Sequence, residues 1–211
     1  MGHLRYYQNS TKCISPAGQL RRLSKFARTM IVRIVARTVF SSIDTIADLN
    51  CTNKSRLVKE ASNAQRILIL CTGNICRSPF VEQYMRNSFE MDIEVESAGL
   101  ETDDGRTCPL QAQNISEMYG IDVSDHRSKV VTEEQVEQAD IVLLMDWYNY
   151  YRIRQKFEGY EQKRFLLGAI NASNNPQISN PHGRGENGFS KRFQKCKQEA
   201  NEIENVVDAN G

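Results

Sequence analysis

The sequence predicts an α/β fold with a four-stranded parallel sheet and helices on both of its faces. Short apolar runs, each the length of a buried strand, alternate along the chain with segments of helical periodicity. The most apolar runs are Ile67–Leu70 and Ile141–Met145, and a predicted helix follows each of them. Strands that alternate with helices form parallel sheets covered on both sides.

The predicted elements begin at residue 66. The predicted strands are Arg66–Cys71, Ile93–Ser97, Asp140–Met145 and Arg164–Leu167. The predicted helices are Ser78–Phe89, Cys108–Tyr119, Glu133–Gln138, Trp147–Phe157 and Glu186–Val207. Gly120 is a stop signal after the second helix. Thr132 and Gln135 form a capping-box pattern at the start of the third. Residues 171–185 are rich in Pro, Asn and Gly, which predicts a loop.

Residues 1–65 differ from the rest of the chain in charge. They hold 11 Lys and Arg against 3 Asp and Glu, whereas residues 66–211 hold 16 against 23. From about residue 17 to 49, apolar residues recur every three or four positions and basic residues lie mostly on other faces. This pattern predicts a cationic amphipathic helix. Residues 50–65 are polar and predicted to be a linker. The chain therefore divides into a basic, partly helical extension with its linker (1–65) and a globular domain (66–211).

The basic helix at 17–49 leaves three interpretations open. Its apolar face packs on the globular domain or on a second copy of the chain. Alternatively, the helix lies on an anionic membrane surface, which its basic residues would attract. The third interpretation is a targeting segment, because the region is rich in Arg and poor in acidic residues.

Composition narrows the classes of protein. No apolar run approaches the ~20 residues of a membrane span, and the start shows no secretory signal pattern. Six cysteines at irregular spacing do not form a disulfide scaffold, so we expect a reducing, cytoplasmic compartment. If the basic helix at 17–49 binds a membrane, the protein is peripheral to that membrane. The three histidines lie far apart in sequence, without metal-ligand spacing. We expect no metal, no cofactor and no nucleic-acid partner.

The segment Cys71–Pro79, CTGNICRSP, joins the first strand to the first helix. Such a turn can aim several backbone N–H groups at one anion. Those dipoles, with the helix N-terminus, would favour the thiolate of Cys71. Arg77 carries a planar fork that can hold two phosphate oxygens. Gly73 and Asn74 suit a loop that needs positive φ. The sequence predicts a phosphate cradle with a nucleophile in its floor, where ligands of such sheets bind.

This loop resembles the signature of the low-molecular-weight protein tyrosine phosphatases. The likeness continues through SAGL (97–100), GIDVSDHRSK (120–129), the Met145–Asp146 pair and RFLLG (164–168), and it covers about residues 66–208. It implies a flavodoxin-like phosphatase fold and hydrolysis of protein phosphotyrosine through a phosphocysteine. The short loop from SAGL to Gly105 looks most like the bacterial members of exopolysaccharide clusters. That likeness implies a polysaccharide-associated tyrosine kinase as the phosphorylated partner.

The resemblance assigns roles along the loop. Cys71 resembles the nucleophile and Arg77 the phosphate clamp. The residues that would bind the substrate are Thr72, Gly73, Asn74, Ile75, Cys76 and Ser78. Among these, Asn74 resembles the residue that shapes the loop, and Ser78 the hydroxyl that supports the thiolate. Cys76 resembles a second cysteine that can form a protective disulfide with Cys71 under oxidation.

Two further residues resemble a hydrogen-bonding pair behind the loop. They are Ser97 and His126. The sequence leaves their simpler roles open: Ser97 as the end of a strand, and His126 as an ordinary surface histidine.

The chain departs from the family at the general acid. The family places an Asp-Pro-aromatic motif on the loop before the last helix, where this chain has Ser179-Asn180-Pro181-His182. Asn180 cannot act as an acid, which predicts a loss of roughly 10²–10⁴-fold in rate. Three outcomes stay open. His182 supplies the proton, since histidine titrates near neutral pH; the enzyme is slow; or the domain is a pseudophosphatase that binds phosphotyrosine without hydrolysing it.

Two observations bear on the substrate. Relatives selective for phosphoarginine carry Thr after the Asn of the loop, whereas an aliphatic residue such as Ile75 narrows the pocket and is associated with phosphotyrosine. The last alternative is an arsenate reductase, which shares the fold and loop. That chemistry usually needs resolving cysteines late in the chain, where only Cys196 lies, inside a predicted helix.

Overall fold

A single parallel sheet organises the protein. In the computed structural model, residues 49–89, 93–171 and 175–209 are described. The four strands are β1 (Arg66–Cys71), β2 (Glu94–Gly99), β3 (Ile141–Leu144) and β4 (Arg164–Leu166). They pair in parallel in the order β2-β1-β3-β4. The predicted four-stranded parallel sheet with helices on both faces is confirmed.

Six α-helices occur in the described part of the chain. They are α1 (Lys54–Ala61), α2 (Arg77–Ser88), α3 (Leu110–Glu117), α4 (Glu133–Gln138), α5 (Trp147–Lys156) and α6 (Gly185–Asp208). The last five were predicted, with ends that agree to within two residues. Thr132 and Gln135 form the predicted capping box of α4. Gly120 follows α3 with φ of +72°, which suits its predicted role as a stop signal.

The two central strands carry the core and set the position of the site. Residues 67–71 of β1 and all of β3 are buried, which explains their continuous apolar runs. From β1 the chain crosses to β2 on one side, and β3 pairs on the other. Strand order therefore reverses at β1, and a crevice opens beyond the carboxyl ends of β1 and β3. Cys71 ends β1 at this crevice.

The loop before α6 is tied to the same edge of the sheet. Ile178 donates its backbone N–H to the carbonyl of Met145, just after β3, at 2.6 Å. Gly168 allows the loop to approach, because a Cβ at this position would lie 2.3 Å from the carbonyl oxygen of Pro176. These contacts carry residues 178–182 to the crevice.

The segment predicted as a linker is folded against the domain, so that prediction is wrong for residues 51–64. Asn53 caps α1 by accepting the N–H of Arg56 at 3.0 Å. Leu57 and Ala61 are fully buried. The Arg56 guanidinium lies 4.6 Å from the centre of the Phe165 ring on β4 and donates to the carbonyl of Gln162. The two buried apolar residues of this eight-residue helix were too few to show a helical period.

The predicted amphipathic helix lies almost entirely outside the described residues, as do residues 1–48 as a whole. Residues 49–52 form a single 3₁₀ turn that leads into α1. None of the helices within the described ranges is both long and apolar enough to cross a membrane.

Candidate active site

The loop between β1 and α2 surrounds the sulfur of Cys71 with donors. Cys71 is 2% exposed. The backbone N–H of Asn74 donates to Cys71 Sγ at 3.2 Å, and the Ser78 hydroxyl donates at 3.0 Å. Both donors point at the sulfur, so the loop offers two hydrogen bonds at the position of the predicted nucleophile. Ser78 therefore lies where the resemblance placed a thiolate-supporting hydroxyl.

Asn74 holds the loop in shape. It is the one non-glycine residue of the described chain with positive φ, at +47°. Its buried side-chain amide donates to the hydroxyls of Ser78 at 3.1 Å and Ser97 at 2.7 Å. Its Oδ1 accepts the backbone N–H of Lys129 at 2.9 Å. The left-handed conformation is thus fixed from three directions, which offsets its cost.

Behind Asn74 the polar contacts continue to a buried carboxylate and a histidine. The Ser97 hydroxyl donates to Glu82 at 2.5 Å, and Glu82 pairs with Arg86 at 2.9 Å. The Nε2 atom of His126 lies 2.9 Å from the Asn74 carbonyl and 3.2 Å from its Oδ1. Both of these oxygens only accept, so Nε2 carries a proton. Burial lowers the pKa of His126, which favours the neutral ring.

Arg77, the predicted clamp, is oriented from behind. It is 2% exposed, and its Nη1 donates to Asp146 Oδ2 and to the Ile178 carbonyl, both at 2.7 Å. Burial alone would lower the pKa of the Arg77 guanidinium, but the Asp146 carboxylate opposes this, and the pKa is raised. The other oxygen of Asp146 accepts the N–H of Asn149 at the start of α5, at 2.9 Å. Three elements therefore hold the guanidinium in one direction.

The start of α2 completes the anion site. Cys76 is the N-cap residue and makes no side-chain capping hydrogen bond. The first N–H groups of the helix therefore remain for a ligand. Burial, followed by the neighbouring Cys71, raises the pKa of Cys76 to about 12, so Cys76 stays a thiol. Cys71 and Cys76 are both free thiols in the structure.

A cleft of about 170 Å³ brings most of the predicted site together. Its lining residues are Cys71, Thr72, Gly73, Ile75, Cys76, Arg77, Glu101, Arg106, Asn180 and His182. Asn180 Oδ1 accepts the backbone N–H of His182 at 3.0 Å, an Asx turn within the loop. Asn180, which is half-buried, and Cys71, which is almost fully buried, thus line the same cleft. Asn74 and Ser78, predicted to bind the substrate, belong to the loop and to the first turn of α2 but are not among the residues that line the cleft. Ser97 and His126 lie behind the loop, where the resemblance placed them.

Sequence reasoning missed the acidic residues of the site. Asp146 follows β3, and the rule that ligands bind beyond strand ends could have identified it as a partner of the crevice. Glu101 lies beyond β2 by the same rule. It pairs with Arg152 at 2.5 Å and accepts the Tyr148 hydroxyl at 2.6 Å. Nothing in the sequence signals these long-range pairings, because their partners are about 50 residues away.

A protein-family comparison matches the domain that contains this site. Residues 66–210 match the model of the low molecular weight phosphotyrosine protein phosphatases. The chain belongs to this family. Within it, the chain is 34% identical over 112 residues to the low molecular weight protein-tyrosine-phosphatase Ptp of Acinetobacter johnsonii, which covers 53% of this chain and 78% of that protein.

Further relatives of this phosphatase family carry other names. The chain is 34% identical over 104 residues to the probable low molecular weight protein-tyrosine-phosphatase EpsP of Ralstonia nicotianae, covering 49% of this chain and 71% of that protein. Among solved structures, the YwlE arginine phosphatase of Geobacillus stearothermophilus superposes with a TM-score of 0.64 at 26% identity. That superposition covers 69% of this chain and 94% of the phosphatase.

Proposed function

We propose that this phosphatase hydrolyses phosphotyrosine on proteins through a phosphocysteine on Cys71. One observation carries the proposal: Cys71 Sγ accepts hydrogen bonds from Asn74 N–H and the Ser78 hydroxyl in the floor of a cleft that Arg77 also lines. Donors at the sulfur stabilise the thiolate as nucleophile and again as leaving group.

In the first step the Cys71 thiolate attacks phosphorus, and the bond from phosphorus to the phenolic oxygen breaks. The backbone N–H groups of the loop and of the α2 terminus face the phosphoryl oxygens, and Arg77 supplies a fixed cation. Because Asn180 cannot give a proton, the phenolate leaves with less help than in a site with an acid. In the second step water attacks the phosphocysteine, and the thiolate leaves with the electrons of the S–P bond.

Phosphotyrosine suits this site better than phosphoarginine, although an arginine phosphatase is among the structural relatives. The half-buried Ile75 lines the cleft and adds apolar surface for an aromatic ring. The leaving group gives a second argument. Phosphotyrosine releases a phenolate, whose conjugate acid has a pKa of about 10. A guanidine that leaves without a proton is a far poorer leaving group. The loss of an acid at Asn180 therefore penalises phosphoarginine more.

The biological substrate that we propose is the tyrosine-phosphorylated tail of a polysaccharide-associated kinase. The short loop between Leu100 and Gly105 supports this, because it resembles the exopolysaccharide-associated members of the family. Arg106 adds a cation at the mouth of the cleft, which suits an anionic phosphopeptide. The alternative of an arsenate reductase loses support, since Cys196 is fully buried and burial raises its pKa to about 12.

The experiment compares a phosphotyrosine peptide and a phosphoarginine peptide at high enzyme concentration, with Cys71→Ser as the inactive control. We expect slow release of phosphate from the tyrosine peptide and an acid-stable adduct of phosphate mass on Cys71. Iodoacetamide at neutral pH should label Cys71 before Cys76 and Cys196, because the pKa of each of those two thiols is about 12.

Three results would change the conclusion. Faster hydrolysis of the arginine peptide would assign the protein to the arginine phosphatases. Binding of the tyrosine peptide without any turnover would make it a pseudophosphatase. Retained activity in Cys71→Ser would remove the phosphocysteine from the mechanism.

A further inference from the structure

Glu101 is a carboxylate that lines the cleft. It belongs neither to the loop between β1 and α2 (residues 72–76, the phosphate loop) nor to the loop before α6 that holds Asn180. It follows β2, and its backbone N–H donates to the carbonyl of Thr72, next to Cys71, at 2.8 Å. Its side chain reaches two residues of α5, Tyr148 and Arg152. Since α5 follows β3, and β1 lies between β2 and β3, this side chain crosses the carboxyl end of β1. The carboxylate therefore lies over the start of the phosphate loop.

The contacts of Glu101 leave it able to accept a proton. One oxygen accepts the Tyr148 hydroxyl at 2.6 Å, and the other pairs with Arg152 Nε at 2.5 Å. The Tyr148 hydroxyl donates a hydrogen bond and the Arg152 guanidinium supplies a positive charge, so both contacts suit a carboxylate. Two carboxylate oxygens offer about four acceptor positions, and these two contacts leave others for water. The Glu101 side chain is 31% exposed, so water reaches it from the cleft.

The chemistry of the second step needs such a group. Water attacks phosphorus most readily when a base removes its proton, and Asn180 cannot serve as that base. We propose that Glu101 is the general base of phosphocysteine hydrolysis; this inference rests on the proposed function. Water oxygen bonds to phosphorus, the S–P bond breaks, and its electrons return to Cys71 Sγ. The proton of the water passes to a Glu101 oxygen and from there to solvent, and inorganic phosphate leaves.

The same contacts argue against Glu101 as the acid of the first step. An acid must carry a proton before the leaving group departs, whereas the Glu101 carboxylate is held in an ion pair with Arg152. The two steps therefore draw on different groups in this chain. Breakage of the P–O bond proceeds without help from position 180, and attack of water uses the carboxylate on the β2 side of the cleft.

The test is Glu101→Gln with nitrophenyl phosphate, whose phenol leaves readily as the anion, so that the second step limits turnover. We expect kcat to fall on the order of 10²-fold, with kcat/KM, which reports only formation of the phosphocysteine, within about threefold of wild type. Rapid mixing should show a burst of nitrophenolate, and acid quenching should trap more phosphocysteine at steady state than in wild type. Tyr148→Phe, which releases one oxygen of Glu101, should slow the same step less.

The matched control is Asp103→Asn, which removes one exposed negative charge from the same loop without touching the cleft; its kcat and kcat/KM should match wild type. Equal rates of phosphocysteine decay in wild type and Glu101→Gln would overturn the assignment while leaving the proposed function intact. An equal fall in kcat and kcat/KM would also overturn it, as the mark of a structural role. Absence of phosphocysteine from both proteins would overturn the proposed function itself.

Discussion

At the scale of single residues, position 180 is where the proposed mechanism lacks an acid for the leaving group. Asparagine and aspartate have nearly the same shape, and Asn180 Oδ1 only accepts a hydrogen bond, from the N–H of His182. A carboxylate can accept that bond equally well. Replacement of Asn180 by Asp therefore changes the acid chemistry and leaves the turn of the loop intact.

We expect Asn180→Asp to raise kcat/KM for a phosphotyrosine peptide by about 10²-fold. The value for nitrophenyl phosphate should rise much less, because nitrophenolate leaves without a proton. The measurement is the ratio of the two kcat/KM values, which report the first step only. His182→Ala separates the histidine alternative: if His182 donates the proton, this variant loses phosphotyrosine activity selectively. Equal effects of Asn180→Asp on both substrates would show that protonation at this position does not limit the first step.

Individual residues of the site were predictable where they follow one another in the chain. Cys71 and Arg77 frame a loop between a strand and a helix, so their proximity follows from local geometry. Glu101 and Asp146 were not predictable as partners. Their contacts with Arg152 and Arg77 depend on the order of the strands, which brings together residues about 50 to 70 positions apart. No local pattern records that order.

At the scale of elements, the loop at 120–129 is fastened to the phosphate loop through Asn74. His126 Nε2 lies 2.9 Å from the Asn74 carbonyl, and Lys129 N–H donates to Asn74 Oδ1 at 2.9 Å. Burial lowers the pKa of His126. The folded protein thus binds fewer protons at this site than the unfolded chain, whose histidine titrates near the ordinary value of 6.5. The stabilisation that neutral His126 gives to the folded state is complete above the pKa of the unfolded chain. It is lost as pH falls through the lower pKa of the folded state.

We expect His126→Gln to be less stable than wild type by about 1 kcal/mol at neutral pH, through loss of a half-buried hydrogen bond. The difference should shrink as the pH is lowered to about 5, because the wild-type protein must then protonate a half-buried ring. Denaturant unfolding at a series of pH values measures both free energies. A difference that stays constant or widens towards acid pH would contradict the assignment of a neutral His126.

Strands and helices were predicted well where an apolar run is long or where a helix cap has a recognisable sequence. The run in β1 and the capping box of α4 are local signals, and the structure has both. Helix α1 was missed because only two of its residues, Leu57 and Ala61, are buried, and most of the others are polar. Its helical state depends on packing against the domain, and propensity alone does not specify such short helices.

At the scale of the whole molecule, the folded unit extends beyond the family match. The match begins at residue 66, yet Cys51, Leu57 and Ala61 lie in the same buried cluster as the strands. Arg56 adds a contact with the Phe165 ring of β4, the edge strand of the sheet. Residues 49–64 therefore shield one edge of the catalytic domain. The change in charge near residue 65 does not mark the edge of the folded unit.

We expect Leu57→Ala to lower the free energy of unfolding by about 2–5 kcal/mol, the usual cost of such a cavity. Activity measured well below the unfolding transition should keep the wild-type kcat, since Leu57 is not among the residues that line the cleft. Lys59→Ala, on the exposed side of the same helix, is the matched control and should change stability by less than about 0.5 kcal/mol. Deletion of residues 1–64 should destabilise the domain more than deletion of residues 1–48, because only the longer deletion removes α1. Equal stability of the two deletion variants would mean that α1 contributes nothing to the domain and that the folded unit begins at β1.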